Sequence, residues 1–264
     1  MELFFMLWQE LKHRDFADGA LADAVALVPC GATEQHGPHL PLGTDTFLSE
    51  GVATKVVAQV TSARVVQFPT LDLTASREHH DFAGSVWIEP EELVVQLMAI
   101  GRAVAQAGMR RIVFINGHGG NIPALQIACR RLRIDHGLFA VAAGWMTPGM
   151  PRVPAELKYP DDIHAGFMET AAMLYLRPDL VDMTAAADFV PASRAVAETN
   201  THLRLTGPIT TGWAARDLTP EGAAGNAAAA TAEAGRVIVE TCATAFAEML
   251  DEIAAHTPGF PAQT

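Results

Sequence analysis

The sequence predicts a three-layer α/β/α sandwich built on a mostly parallel central sheet. Three observations lead to this fold class. Four short segments are almost continuously apolar, as strands buried on both faces of a sheet are. Helical stretches separate these segments, which is the alternation of a layered α/β fold. Finally, 264 residues of which 50% are hydrophobic can bury one large core. We therefore expect a single domain over residues 1–264.

The four predicted strands are short and contain few charged side chains. They are rich in Val, Ile, Phe and Ala, and none shows the polar alternation of a half-exposed strand. They occupy residues 24–29, 64–68, 111–115 and 138–143.

Helices are predicted between and after these strands from their start and stop residues. The second begins with Pro-Glu-Glu and stops at Gly108, and the third has Asn121 as cap, Pro123 in its first turn and Gly137 as stop. The last is rich in alanine. The Pro-rich residues 147–160 form a long loop, and residues 185–219 show no clear pattern. The predicted helices are 44 to about 60, 90–106, 121–136, 166–176 and about 221–255.

Composition excludes several classes of partner and location. The chain has 18 Lys and Arg against 30 Asp and Glu, a net charge of −12, so neither nucleic acid nor an anionic membrane surface is an expected partner. The apolar residues 3–8 are too short for a membrane span and lack the basic start of a signal peptide. Three widely spaced cysteines indicate a reduced compartment, so we expect a cytoplasmic protein. We interpret Cys30 as a small buried hydrophobe rather than a ligand or nucleophile.

The loop after the first predicted strand, residues 31–45, holds the densest cluster of potential metal ligands. Its sequence is GATEQHGPHLPLGTD, with Glu34, His36, His39 and Asp45. Carboxylates and imidazoles at this spacing suit a borderline divalent ion such as zinc or manganese. The alternative is a polar surface loop with scattered histidines.

Polar clusters also follow the other three predicted strands, and carboxyl ends of parallel strands meet at one edge of a sheet. Residues 76–80 (SREHH) follow the second strand, 116–121 (NGHGGN) the third, and Gly144-Trp145 the fourth. Glycines on both sides of His118 allow close approach of backbone or substrate. We interpret His118 as a metal ligand; an anion cradle and a plain turn are the alternatives.

A last cluster surrounds the start of the helix at 166–176. His164 lies in the preceding loop, where a neutral imidazole could carry protons for a metal-bound water. Glu169 lies in the first turn, either as a ligand or as a carboxylate favoured by the helix dipole. Two metals bridged by Asp45 would suit amide hydrolysis. The candidate ligands are Glu34, His36, Asp45, His118 and Glu169.

These motifs, in this order, resemble the creatininase (creatinine amidohydrolase) family over roughly residues 5–250. The matching segments are residues 31–45, 76–85 (SREHHDFAGS), 116–121 and 164–170 (HAGFMET). The resemblance implies a dinuclear metal amidohydrolase with an α/β/α sandwich, assembled as a homohexamer. It also implies two divalent ions per subunit, with zinc expected and manganese or iron as alternatives.

The resemblance assigns roles to individual residues. It implies Glu34, Asp45 and His118 for one metal, and His36 with the shared Asp45 for the other. Creatininase has a further glutamate ligand where this chain has Gly120, and we infer that Glu169 supplies that carboxylate. His164 matches the catalytic histidine that protonates the leaving nitrogen. A second tryptophan of creatininase, near position 160, is absent here. The expected substrate-binding residues are Ser76, Glu78, His79, Gly119 and Trp145.

The expected function is hydrolysis of a C–N bond in a small cyclic amide, lactam or ureide, with His164 as the proton shuttle and Glu169 beside it. The alternatives implied by the family are a formamide deformylase and a peptidase that matures a peptide-derived cofactor. A phosphorylated substrate would need a basic cluster at the mouth of the site, for which Arg77 and Arg152 are the only obvious candidates. The remaining alternative is a non-catalytic small-molecule-binding protein with the same fold.

Overall fold

Five parallel strands form the central sheet of the computed structural model, which describes residues 5–207, 209 and 211–256. These strands are β1 Phe5–Leu7, β2 Val25–Cys30, β3 Val65–Gln67, β4 Arg111–Asn116 and β5 Phe139–Gly144. They lie in the order β1-β3-β2-β4-β5. A separate two-stranded antiparallel sheet pairs β6, Asp188–Phe189, with β7, Gly225–Asn226.

Helices cover both faces of the central sheet. The helices are α1 Thr44–Val57, α2 Pro90–Gln106, α3 Ile122–His136, α4 Phe167–Leu176, α5 Ala192–Thr199, α6 Ala215–Leu218 and α7 Ala232–Ala255. Successive side chains of a strand point to opposite faces, so β2 and β4 each contribute side chains to two cores. Val25 and Val113 pack with α1, α4 and α7, whereas Ala26 and Ile112 pack with α2 and α3. The predicted three-layer α/β/α sandwich is confirmed.

The four predicted strands are present, and each of their ends lies within one residue of the predicted position. The edge strand β1 was not predicted, because three apolar residues give no periodicity and its pairing with β3 is non-local. The prediction of a helix from residue 221 is wrong, since α7 begins at Ala232, capped by the Thr231 side chain, which accepts from the Ala234 N–H. The preceding residues form β7 and a turn instead.

Helix ends follow the predicted signals except at Asn121. Pro90 lies in the first turn of α2, and Gly137 ends α3 with a left-handed φ of 67°. The predicted Asn121 cap is wrong: its side chain makes no capping hydrogen bond. Its amide instead donates to the Gly31 carbonyl and accepts from the Ala75 N–H, at 3.0 and 3.1 Å, so it joins three loops above the sheet.

The strand order determines where these loops meet. The chain passes from β2 to β3 on one side and then returns to β4 on the other side of β2. Loops that leave β2 and β4 in opposite directions open a crevice at the carboxyl edge of the sheet. The clusters of Glu34 and His118 therefore face each other across this crevice.

Two observations concern possible membrane spans and the environment of Cys30. Among the described residues, no helix is both long and apolar enough to cross a lipid bilayer. Cys30 is buried, and burial raises the pKa of its thiol, as expected for a small hydrophobe. The single domain over residues 1–264 stays a prediction.

Candidate metal and active site

The loop after β2 carries its ligands inward. Glu34 and His36 are fully buried, and Asp45 lies in the first turn of α1, where a carboxylate is favoured by the helix dipole. The loop stays close to α1 because Gly31 leaves room for it: a Cβ there would contact backbone and side-chain atoms of Thr46. This close approach places three potential ligands beside one another at the edge of the sheet.

A first set of ligand atoms forms around His118. Its Nδ1 lies 3.1 Å from Glu34 Oε2 and 3.2 Å from Asp45 Oδ2. The three residues each offer one ligand atom within 4.8 Å of the others, and all are buried. Two carboxylates and one imidazole are a ligand set that a divalent ion accepts.

A second set forms around His36. Its Nε2 lies 3.0 Å from Asp45 Oδ1 and 3.9 Å from Glu169 Oε2. Glu169, His36 and His164 form a further group whose ligand atoms lie within 4.8 Å of one another. Asp45 therefore presents one oxygen to each set, which is the arrangement of a bridging carboxylate.

Hydrogen bonds to the main chain fix the histidine rings in both sets. His36 Nδ1 donates to the Glu34 carbonyl at 3.1 Å, and His118 Nε2 donates to the Ala75 carbonyl at 3.0 Å. The other nitrogen of each ring faces the carboxylates and offers a lone pair to a metal once its proton is displaced. Such partners are typical of histidines that bind metals.

The carboxylate oxygens indicate that a cation fits here. Both oxygens of Glu34 and Oδ2 of Asp45 are buried without a hydrogen bond within the described part of the chain. Histidine nitrogens lie near them, but not in hydrogen-bonding alignment. Buried carboxylates without partners carry a large desolvation cost, which a bound divalent cation would offset. The residues present therefore fit the metal that their chemistry implies.

Electrostatics support the same conclusion. Burial alone would lower the pKa of His36, but the adjacent Asp45 carboxylate raises it to about 10. Burial alone would raise the pKa of Glu34, yet His118 holds it well below its usual range. In the metal-free protein, protons on the imidazoles compensate the carboxylates; a metal that binds these atoms must displace those protons.

Two groups beside His36 have pKa shifts in the opposite directions, because here the carboxyl pKa is raised and the imidazole pKa is lowered. Burial raises the pKa of Glu169 to about 8, and its Oε2 accepts the Ala165 N–H at 2.6 Å. Burial, and then the proximity of His36, lowers the pKa of His164 well below its usual range. His164 is therefore a neutral imidazole near neutral pH, the form that can accept a proton.

The residues expected to bind substrate lie in different surroundings. His79 Nε2 is 3.1 Å from Glu34 Oε1, so His79 belongs to the cluster itself. Glu78 Oε1 lies 3.3 Å from His118 Nε2, on the outer side of that ring. Ser76 is buried, and its hydroxyl oxygen has no hydrogen-bond partner among the described residues. Gly119 borders open space.

Two predicted features lie away from the cluster. Trp145 is only 2% exposed and packs in the core with α4 and α7, so its contact with substrate stays a prediction. His39 donates or accepts at Thr170 Oγ1, 2.8 Å away, and stacks on Phe189, so it does not join the ligand sets.

Sequence reasoning missed Gln35. Its side-chain amide lies 2.8 Å from His79 Nδ1 and 3.2 Å from His164 Nε2. The signal was its place between two candidate ligands, Glu34 and His36, but its partners come from loops far away in the chain.

Comparisons with known proteins agree with this geometry. A family model described as creatininase, creatinine amidohydrolase, matches residues 9–250. The chain belongs to the creatininase family. It is thus a hydrolase of a family that acts on C–N bonds, and the metal-ligand groups of that family's chemistry are present.

Individual relatives differ in what they are named for. A mycofactocin precursor peptide peptidase of Mycobacterium ulcerans (strain Agy99) is 37% identical over 245 residues, 88% of this chain and 86% of the relative. A creatinine amidohydrolase of Pseudomonas putida is 29% identical over 262 residues, 94% of this chain and 95% of the relative.

Solved structures confirm the fold. A creatinine amidohydrolase (creatininase) has a TM-score of 0.74 at 26% identity, covering 95% of this chain and 98% of its own. A manganese creatininase has a TM-score of 0.72 at 26% identity, covering 93% and 97%. A creatininase variant of Zn-Zn type has a TM-score of 0.72 at 24% identity, covering 96% and 98%.

Proposed function

We propose that this creatininase-family hydrolase is a peptidase that cleaves an amide bond in a precursor peptide, using two divalent metal ions. The observation that carries the proposal is the 37% identity to a precursor peptide peptidase over 88% of the chain. Similarity to the creatinine amidohydrolase is lower, at 29%. Two departures from creatininase, Gly120 beside His118 and the missing tryptophan near Pro160, favour a substrate other than creatinine.

Two cavities that share a lining residue support an extended substrate. One of about 330 Å³ is lined by Gln35, whose side chain contacts His79 and His164. Another of about 630 Å³ has an apolar wall that includes Phe189 and Val190. Glu221 lines both cavities. Each lies in the size range that accommodates a ligand as large as a typical drug molecule or a short peptide segment.

The residues of the cluster then have defined tasks. Glu34, Asp45 and His118 would hold one ion; His36, Asp45 and Glu169 would hold the other. Such ions, when bound, supply an activated water and polarise the amide carbonyl. His164, neutral and with Nδ1 3.7 Å from Glu34 Oε1, takes a proton at Nδ1 and delivers it to the leaving nitrogen. Zinc is the expected metal. The homohexamer and the cytoplasmic location stay predictions.

A direct assay separates the candidate functions. Zinc-loaded protein is incubated in parallel with a panel of peptides, creatinine, a set of lactams and N-formyl compounds, and the products are identified by mass spectrometry. Peptide cleavage that His164→Ala abolishes, with metal content unchanged, supports the proposal. His80→Ala is the matched control, because the His80 side chain is half exposed and pairs with Asp81.

Other outcomes would overturn the peptidase function. Ring opening of creatinine or a lactam without peptide cleavage would make the chain a cyclic amidohydrolase. Turnover of N-formyl compounds alone would make it a deformylase. Stoichiometric binding of small amides without turnover would indicate a non-catalytic binding protein.

A further inference from the structure

The Gln35 side chain is held in one orientation by two backbone groups. Its Oε1 accepts the Gly37 N–H at 2.9 Å, and its Nε2 donates to the Gly222 carbonyl at 3.1 Å. Exchanging the oxygen and nitrogen would place oxygen against oxygen and N–H against N–H. The NH₂ group therefore faces the histidines, with one of its two protons left for them.

The remaining proton of the Gln35 amide has only one acceptor. His164 Nε2 lies 2.8 Å from the main-chain carbonyl oxygen of Gln35. Because that oxygen can only accept a hydrogen bond, His164 carries its proton on Nε2. His164 Nε2 then cannot accept from the Gln35 amide. His79 Nδ1, 2.8 Å from Gln35 Nε2, must take that hydrogen bond with a lone pair.

We propose that Gln35 is a positioning residue that fixes the tautomers of two histidines, so that His79 presents a ring N–H and His164 a ring lone pair to the centre around Glu34. The His79 Nε2–H lies 3.1 Å from Glu34 Oε1, and His164 Nδ1 lies 3.7 Å from the same oxygen. Gln35 thus directs a ring donor of His79 and a ring acceptor of His164 towards the same oxygen, Glu34 Oε1.

The assignment distinguishes His79 from the ligand histidines. Glu34, His79 and His164 satisfy the distances of a metal site. However, a protonated Nε2 cannot bind a metal, so this group is not a third metal site. Its donor is suited to an oxygen that gains negative charge, such as the carbonyl oxygen of an amide under attack. This role of the donor rests on the proposed function; the tautomer does not.

The tautomers are tested by nitrogen NMR of zinc-loaded protein with ¹⁵N-labelled histidine rings. The His79 signals are identified by their loss in His79→Gln. In the wild type, His79 should show a protonated Nε2 and an unprotonated Nδ1, and His164 the same pattern. A protonated Nδ1 on His79 would overturn the proposal without any variant or substrate.

Gln35→Glu provides the second test. A carboxylate at this position accepts rather than donates, so His79 must place a proton on Nδ1. We expect that change in the spectrum, with two zinc ions retained and kcat for peptide cleavage reduced roughly 10- to 100-fold, the range for losing a hydrogen-bonded partner of a site residue. Gln67→Glu, at another buried glutamine, controls for burying a carboxylate and should leave the His79 signals unchanged.

The result for Gln35 and the result for the proposed function remain separable. An unchanged His79 pattern in Gln35→Glu would overturn the positioning role even if peptides are cleaved. The expected patterns in a protein that cleaves no peptide would support the role of Gln35 and count against the peptidase function alone.

Discussion

Gly120 is the position where this chain differs from the glutamate of creatininase, and the structure predicts that even alanine is excluded there. A Cβ at Gly120 would collide with the Ala75 carbonyl oxygen, Glu78 Oε1 and His118 Nε2. Glu78 can rotate away, but the carbonyl belongs to the main chain. The ring of His118 cannot move without losing its 3.0 Å hydrogen bond to that carbonyl.

The expected magnitude follows from these contacts. Forcing one extra methyl group into a packed site costs about 1–3 kcal/mol. If the His118 ring moves to relieve the collision, this cost appears as weaker metal binding. At about 1.4 kcal/mol per tenfold change, Gly120→Ala should weaken binding at the Glu34/Asp45/His118 set roughly 5- to 140-fold.

The neighbouring glycine offers a matched control. A Cβ at Gly119 meets no atom within 4 Å, and neither glycine has a positive φ among the described residues, so both substitutions change the backbone freedom alike. Zinc affinity is measured by competition with a chromophoric chelator for wild type, Gly119→Ala and Gly120→Ala. Equal affinities in the two variants would refute the steric argument. Loss of affinity in Gly120→Ala alone would support it.

Two further predictions concern the second metal and the outer end of α7. Glu169→Gln should reduce the zinc content from about two ions per chain to about one, because it removes a charged ligand. Elemental analysis measures this content. Two retained ions would mean that Glu169 only accepts the hydrogen bond of the Ala165 N–H. Asp251 accepts hydrogen bonds from the three backbone N–H groups of residues 61–63. Partial burial alone would raise the pKa of its carboxyl group, but these hydrogen bonds hold that pKa well below its usual range. Because the pKa is lower in the folded chain than in the unfolded chain, where it is near 3.9, the ionised carboxylate stabilises the fold above that pH. This stabilisation is lost as the pH falls from there towards the pKa of the folded state. Asp251→Asn should therefore lower the free energy of urea unfolding by about 1–2 kcal/mol at pH 7. Equal differences at pH 7 and about pH 3 would contradict this.

The parts of the fold that sequence predicted are those with local signals. The strands β2 and β4 are continuous apolar runs, and α2 and α3 carry proline near their start, with Gly137 ending α3. The clusters after the strands were predicted to meet, because parallel strands end at one edge. Glu34, Asp45 and His118 do lie together there.

The missed parts depend on contacts between distant segments. The helix expected from residue 221 includes Gly222 and Gly225, two residues that disfavour a helix. Their φ values are 78° and 139°, which an α-helix does not allow. Their alanine-rich surroundings favour a helix, but Ala224 exchanges backbone hydrogen bonds with His164 instead. The packing of Trp145 against α4 and α7 likewise depends on contacts between distant segments, and its contact with substrate stays a prediction.

The same misassigned segment contacts the histidine cluster and lines both cavities. Its Gly222 carbonyl accepts from Gln35, its Ala224 pairs with His164, and its Glu221 lines both cavities. Gly222 is required here, since its φ is 78° and a Cβ would lie 2.6 Å from Gln35 Oε1. One turn therefore forms the wall of the cavity and holds the residue that orients the histidines. A change in the position of this turn would alter the shape of the cavity and the tautomers of His79 and His164 together.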